Sequence, residues 1–97
     1  MDEQQDENRV EVKVVFNGRV QGVGFRYAAK RHAEWLNVAG TVSNRADGSV
    51  EMYAQGVSEN VAALIEALKT EPTPIAVHSI ESTDIHPLRT YHGFRIV

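Results

Sequence analysis

Two spacings alternate along this chain, apolar residues at every second position and apolar residues three or four apart. From Val10 to Phe16 the even positions Val10, Val12, Val14 and Phe16 are apolar while Glu11 and Lys13 intervene, which predicts a half-buried strand. The spacing then changes. Phe25, Ala28, Ala29, Ala33 and Leu36 fall on one stripe, with Lys30, Arg31 and Glu34 left for water, which predicts an amphipathic helix. Tyr27 and Trp35 lie beside that stripe and read as packing or rim residues. Asn37 tolerates the left-handed conformation that ends a helix, and Val38–Ser43 reads as a second strand. After a turn at Arg45-Ala46-Asp47-Gly48, Ser49–Gln55 alternates again, so the two strands pair as a hairpin that Gly56 closes. Ser58 reads as the N-cap of a second helix with Glu59 in its first turn and Val61, Leu64, Ile65 and Leu68 on its apolar face. Pro72 and Pro74 forbid its continuation. A fourth strand of mixed pattern lies within Ile75–Ile85, Pro87 interrupts, and His92–Val97 offers a short fifth strand through Phe94 and Ile96.

The order β-α-β-β-α-β plus a short C-terminal strand buries one sheet face under two helices. Right-handed crossovers then place the first and third strands side by side in the middle of an antiparallel sheet. The expected class is therefore α+β, a ferredoxin-like α/β sandwich with both helices on one face. That fold serves RNA-binding, metal-carrying and amino-acid-sensing modules alike, so function must come from the residues it carries.

The residues that stand out join the first strand to the first helix. Gly18-Arg19-Val20-Gln21-Gly22-Val23-Gly24-Phe25-Arg26 has three glycines in seven positions, and glycine admits backbone conformations and close approaches that a Cβ forbids. Successive N–H groups in such a loop can converge on one anion. No Ser, Thr, Asp or Asn precedes Phe25 to cap the helix, so its first N–H donors and the positive end of its dipole are left for a ligand. Arg26 adds a permanent charge and a planar fork matched to phosphate or carboxylate oxygens. On spacing alone the loop reads equally as a plain connector, because it is neither the dinucleotide Gly-x-Gly-x-x-Gly nor a phosphate loop ending in Gly-Lys-Ser/Thr.

Composition narrows the options. Asp2, Glu3, Asp6 and Glu7 account for the net charge of −3, and the rest of the chain carries nine acids and ten bases. Residues 1–8 are polar without periodicity and read as a disordered acidic extension, with one domain over 9–97. A near-neutral body argues against a general nucleic-acid binder. Without cysteine there is no thiolate nucleophile, disulfide or cysteine-ligated zinc. No apolar run reaches membrane-spanning length and no basic, apolar leader opens the chain, so a cytoplasmic monomer without membrane partner is expected.

Residues 18–26 closely resemble the first signature of the acylphosphatase family. Gly40-Thr41-Val42-Ser43-Asn44, followed by Asp47-Gly48-Ser49-Val50-Glu51 and Gly56, resembles the second, and Asn44 lies eighteen residues after Arg26 as that family arranges them. Thr41 departs from the pattern, which usually has an aromatic there. With the Gly93-Phe94-Arg95-Ile96 ending, the resemblance spans roughly residues 10–97. It implies hydrolysis of acyl phosphates to a carboxylate and inorganic phosphate, with no metal and no cofactor. Carried over by position, the backbone of Arg19, Val20, Gln21, Gly22, Val23 and Gly24 would bind the phosphoryl oxygens, Arg26 would hold the phosphoryl group, and Asn44 would position the attacking water. The elementary chemistry agrees, since an acyl phosphate carries a good leaving group and demands placement and preorganised donors more than a strong base.

Other readings compete. A non-catalytic module binding an anion or acyl phosphate would use the same loop. A single-strand RNA binder on the same fold would need stacking aromatics on the first and third strands, where Tyr53 is the one good candidate. Asn44 taken alone reads as a turn residue. His32, His78, His86 and His92 show no short ligand spacing and read as surface or packing residues. Ser43 has neither a nucleophile-elbow frame nor an evident base.

Overall fold

In the computed structural model, which describes residues 8–97, the elements in chain order are β1 (Arg9–Arg19), α1 (Phe25–Trp35), β2 (Ala39–Asn44), β3 (Val50–Val57), α2 (Ser58–Lys69), β4 (Ala76–Asp84) and β5 (Phe94–Ile96). The acidic extension expected at residues 1–8 lies outside the described residues except for Asn8, whose carbonyl accepts the Ser58 N–H at 2.8 Å. The strands form one sheet in the order β4-β1-β3-β2-β5. β1 and β3 are adjacent and antiparallel, with Val14 opposite Met52 and Phe16 opposite Val50, as the crossover argument requires.

β1 is longer than its side-chain pattern. Alternation fails at Asn17-Gly18-Arg19, yet Gly18 and Arg19 still pair with Val77 and Ala76 after a register shift. A strand bonded on both sides continues as long as its backbone partners do, and a Cβ on Gly18 would stand 2.2 Å from the Ala76 carbonyl oxygen. Gly18 therefore serves strand pairing rather than the loop, and Gly56, expected to close the hairpin, likewise lies within β3 opposite Val10.

The sheet is mixed rather than wholly antiparallel. β5 runs parallel to β2, Gly40 opposite Phe94 and Val42 opposite Ile96. The cause is the route of the chain, since β4 and β5 occupy opposite edges and the connection between them crosses the sheet. Both helices cover one face, where Val14, Phe16, Val42, Met52 and Ala54 meet Phe25, Ala28, Ala29 and Ala33 of α1 and Val61, Leu64 and Leu68 of α2. Asn37 takes the expected left-handed conformation, φ 59°. Ser58 does not cap α2. Val57 holds the cap position in extended conformation, no side chain caps the helix, and Ser58 is its first residue. Of the packing or rim roles expected for Tyr27 and Trp35, exposures of 69% and 87% exclude packing. Among the described residues no helix is long and apolar enough to cross a membrane.

The strongest departure from the alternation is Glu11. It belongs to the polar half of β1, yet it is only 1% exposed. The connection before β5 covers it. Its carboxylate accepts the Arg89 N–H at 2.8 Å, the Arg89 Nε–H at 2.8 Å and the Tyr91 hydroxyl at 2.7 Å, while Gln55 donates from 3.3 Å. Burial pushes this carboxyl up, but the Arg89 N–H, then its guanidinium and the Tyr91 hydroxyl, outweigh it and hold the group below the usual glutamate range. Burial and the neighbouring carboxylate raise the Tyr91 hydroxyl to about 12, so it remains a donor. The contribution of Glu11 is complete above the usual glutamate range and is lost as pH falls through the lowered value. Glu11→Gln is expected to melt lower than the parent at neutral pH, by on the order of 5 °C or more. The gap should narrow on acidification, and melting curves at a series of pH values check both.

Candidate functional site

The glycine loop is pinned at two points. Val20 is buried in the core beneath it, and Phe25, the first residue of α1, packs on Phe16 of β1 with ring centroids 4.9 Å apart. Between these anchors Gly22 and Gly24 are exposed and left-handed, φ 74° and 83°. Gly24 is the N-cap of α1 and no side chain caps that end. The first helical bond runs from the Ala28 N–H to the Gly24 carbonyl at 3.0 Å, so the N–H groups of Phe25, Arg26 and Tyr27 have no acceptor within the helix. No acid lies in this first turn to occupy them.

These elements enclose a concavity of about 190 Å³ lined by Val20, Gly22, Gly24, Phe25, Arg26 and Tyr27. It combines unpaired N–H donors, a positive helix end and a half-buried guanidinium, which together suit a tetrahedral oxyanion. A larger concavity of about 330 Å³ lies at the other end of α1, but Glu34 lines it and its Arg9 is bonded to Gln55 Oε1 at 3.2 Å. The negative end of the helix dipole points there, so it does not favour an anion.

A Cβ on Gly22 or Gly24 would meet nothing within 4 Å. Substitution therefore acts through the left-handed backbone, at about 1–2 kcal/mol, and through the aim of the loop N–H groups. Gly24→Ala is expected to stay folded with a stability loss of that size and to bind inorganic phosphate roughly tenfold more weakly, as loss of a charge-assisted hydrogen bond implies. Phosphate titration beside a thermal melt separates the two effects.

Of the residues singled out in the sequence, Val20, Gly22, Gly24 and Arg26 line this concavity, whereas Arg19, Gln21, Val23 and Asn44 stand outside the lining. Arg19 is exposed and belongs to β1. Asn44 is the exposed last residue of β2, paired with Val50. The loop is nevertheless tied to the β2–β3 turn. The Gln21 side-chain amide donates to the Arg45 carbonyl at 2.8 Å and to the Ser49 carbonyl at 2.9 Å, immediately beside Asn44. Within the turn the Arg45 N–H also bonds the Ser49 carbonyl at 2.9 Å. The Ser49 hydroxyl and N–H bond Asp47 at 2.6 and 3.0 Å and hold its carboxyl below the usual aspartate range, so Asp47 is an engaged turn residue rather than a base.

Sequence reasoning missed the side chain of Gln21, whereas Tyr27, read as a packing or rim residue, lines the concavity. The Gln21 contacts have no local signal, since its partners lie 24 and 28 residues away. His32 is at the far end of α1, with its Nε2 paired to Glu71 at 2.5 Å, and no three His, Asp or Glu side chains converge among the described residues. On the open face of the sheet, the Arg89 guanidinium sits 4.4 Å over the Tyr53 ring, which covers the one aromatic that a stacking base would have used.

The acylphosphatase family model matches residues 12–96. An acylphosphatase of Lacticaseibacillus paracasei is 40% identical over 85 residues, covering 87% of this chain and 91% of its own. Among solved structures, the acylphosphatase of Bacillus subtilis superposes with a TM-score of 0.86 at 38% identity, over 91% of this chain and 98% of that one. An acylphosphatase from Coxiella burnetii gives a TM-score of 0.88 at 33% identity, over 97% of this chain and 98% of its own.

Proposed function

The chain belongs to the acylphosphatase family, and from that premise we propose how its own residues carry out the reaction. It is an enzyme that hydrolyses acyl phosphates, mixed carboxylic–phosphoric anhydrides, to a carboxylate and inorganic phosphate. The phosphoryl group sits in the concavity at the start of α1. The N–H groups of the Arg19–Gly24 loop and of the first helical turn bond its oxygens, and the Arg26 guanidinium neutralises the charge that builds on them. Asn44 holds a water through its side-chain amide, in line with the bond to be broken. The water oxygen bonds to phosphorus as the bond from phosphorus to the acyl oxygen breaks, its electron pair leaving with the carboxylate. The proton of the water passes to a phosphate oxygen, so no titrating side chain is required.

The observation that carries this reading is the pairing of two left-handed glycines at an uncapped helix start with Arg26 lining the same small concavity. Because the chain's own donors supply the positive field, turnover is proposed to need no metal or cofactor. The test is benzoyl phosphate hydrolysis by the purified protein with and without chelator. The rate should be unchanged by chelator, and inorganic phosphate and sulfate should inhibit competitively. Loss of activity in chelator, restored by one divalent ion, would overturn the metal-free mechanism, and inhibition set by acyl length alone would place substrate elsewhere.

We further place the enzyme in the cytoplasm as a monomer acting on a small molecule, without nucleic acid or membrane. A water-labile anhydride is best met where it is made, and the near-neutral charge beyond the first eight residues offers no basic surface to a polyanion. The Arg89 guanidinium over Tyr53 supports the same reading against RNA. Sedimentation and cell fractionation test these assignments.

A further inference from the structure

We propose that Gln21 is a positioning residue, whose side-chain amide sets the distance between the phosphoryl cradle and the water-holding Asn44. The inference rests on the roles given above to the loop and to Asn44. The two halves of the site come from different parts of the fold. The cradle belongs to the β1–α1 loop and Asn44 to the end of β2, and in the sheet β3 lies between β1 and β2. The packing of Phe25 on Phe16 and the burial of Val20 fix the loop to the core, but they do not reach the β2–β3 turn. Gln21 does.

Its Nε2 donates to Arg45 O at 2.8 Å and to Ser49 O at 2.9 Å. Both partners are carbonyl oxygens, so the amide can be oriented only one way, and each of its two hydrogens meets one acceptor. Those carbonyls flank the neck of the turn, where the Arg45 N–H also bonds the Ser49 carbonyl. The amide thus closes the neck from the loop side, one residue from Asn44. Gln21 stands outside the lining of the concavity, so its side chain acts on turnover through Asn44 rather than by touching the anion. Placement matters on this scale, since a shift of about 1 Å in a reacting group can lower a rate on the order of a hundredfold.

Gln21→Met keeps the length of the side chain and removes both donors. It is expected to lower kcat by roughly ten- to a hundredfold while the inhibition constant of inorganic phosphate stays within about twofold of the parent. A merely structural role would not produce that split. The decisive comparison is a double-mutant cycle with Asn44→Ala, because two residues acting through one water are not additive. In the Asn44→Ala background, Gln21→Met should change kcat little. An equal fractional loss in both backgrounds, or a phosphate constant that rises in step with the fall in kcat, would overturn the proposal. Failure of the underlying mechanism reads differently, since Asn44→Ala alone would then retain its rate. Should Gln21→Met fail to fold, Gln21→Glu supplies the test. Its carboxylate cannot donate to either carbonyl and its protonated form can donate to one, so its rate relative to the parent should rise as pH falls. A ratio that is flat with pH would count against the bridge.

Discussion

Arg26→Lys is expected to lose about a thousandfold or more in kcat/KM, nearly as much as Arg26→Ala, and to weaken phosphate inhibition in parallel. An arginine that neutralises a transferring phosphoryl group contributes on that order. Lysine restores the charge as a point but not the planar pair of donors, and its ammonium is more strongly hydrated. The site gives a lysine little help. The second residue of α1 projects from a fixed helical turn, anchored by Phe25 on Phe16, so the ammonium would have to find its place by rotation of its own stem. Folding should be spared, because Arg26 is half-buried and makes no side-chain hydrogen bond or ion pair among those the structure gives for the described residues. Equal losses in turnover and in phosphate affinity on a folded variant are the expected signature. A lysine variant with near-parent rates would mean that charge alone suffices and that the fork is not used.

Much of this arrangement could be read from the residues. The strands and helices followed from the two periodicities because each element buries one face, and the glycine loop was legible because left-handed backbone and an uncapped helix start leave local traces at Gly22, Gly24 and Phe25. What escaped depends on contacts between distant segments. Glu11 looked like a solvent-facing strand residue until Arg89 and Tyr91, 78 and 80 positions away, closed over it. The parallel pairing of β5 was hidden for the same reason, since the direction of a short terminal strand is set by the path that brings it to the sheet edge rather than by its own three residues.

The same distinction separates the residues that the sequence offers as one site, since the structure brings Val20, Gly22, Gly24 and Arg26 to one concavity and leaves Asn44 outside its lining. Arg26 of α1 and the glycines before it share one concavity, whereas Asn44 ends β2 beside the β2–β3 turn. Glu11 is buried beneath the connection to β5. That connection leads into β5, which pairs with β2, the strand that ends at Asn44. Gln21 bonds the carbonyls of Arg45 and Ser49 in the turn that follows the same strand.

Asn44→Ala should separate binding from chemistry. If the amide orients water and touches the phosphoryl group little before reaction, its loss should lower kcat on the order of a hundredfold or more while leaving phosphate inhibition nearly unchanged. The hairpin has the means to survive the substitution. Backbone pairing of residue 44 with Val50 does not need the side chain, and the turn keeps its Arg45–Ser49 bond, its Asp47–Ser49 bonds and the Gln21 bridge. A thermal melt close to the parent's is therefore expected and should be measured first, because a loosened turn would imitate a catalytic defect. Asn44→Asp sharpens the result. It preserves shape and an acceptor for water but sets a negative charge beside the phosphoryl site, so both rate and phosphate affinity should fall. The measurements are single-turnover rates and phosphate titration on folded protein. Equal loss of rate and affinity in Asn44→Ala would make Asn44 an anion-holding residue. Retention of both would make it a turn residue, and the water would then have to be held from the loop side.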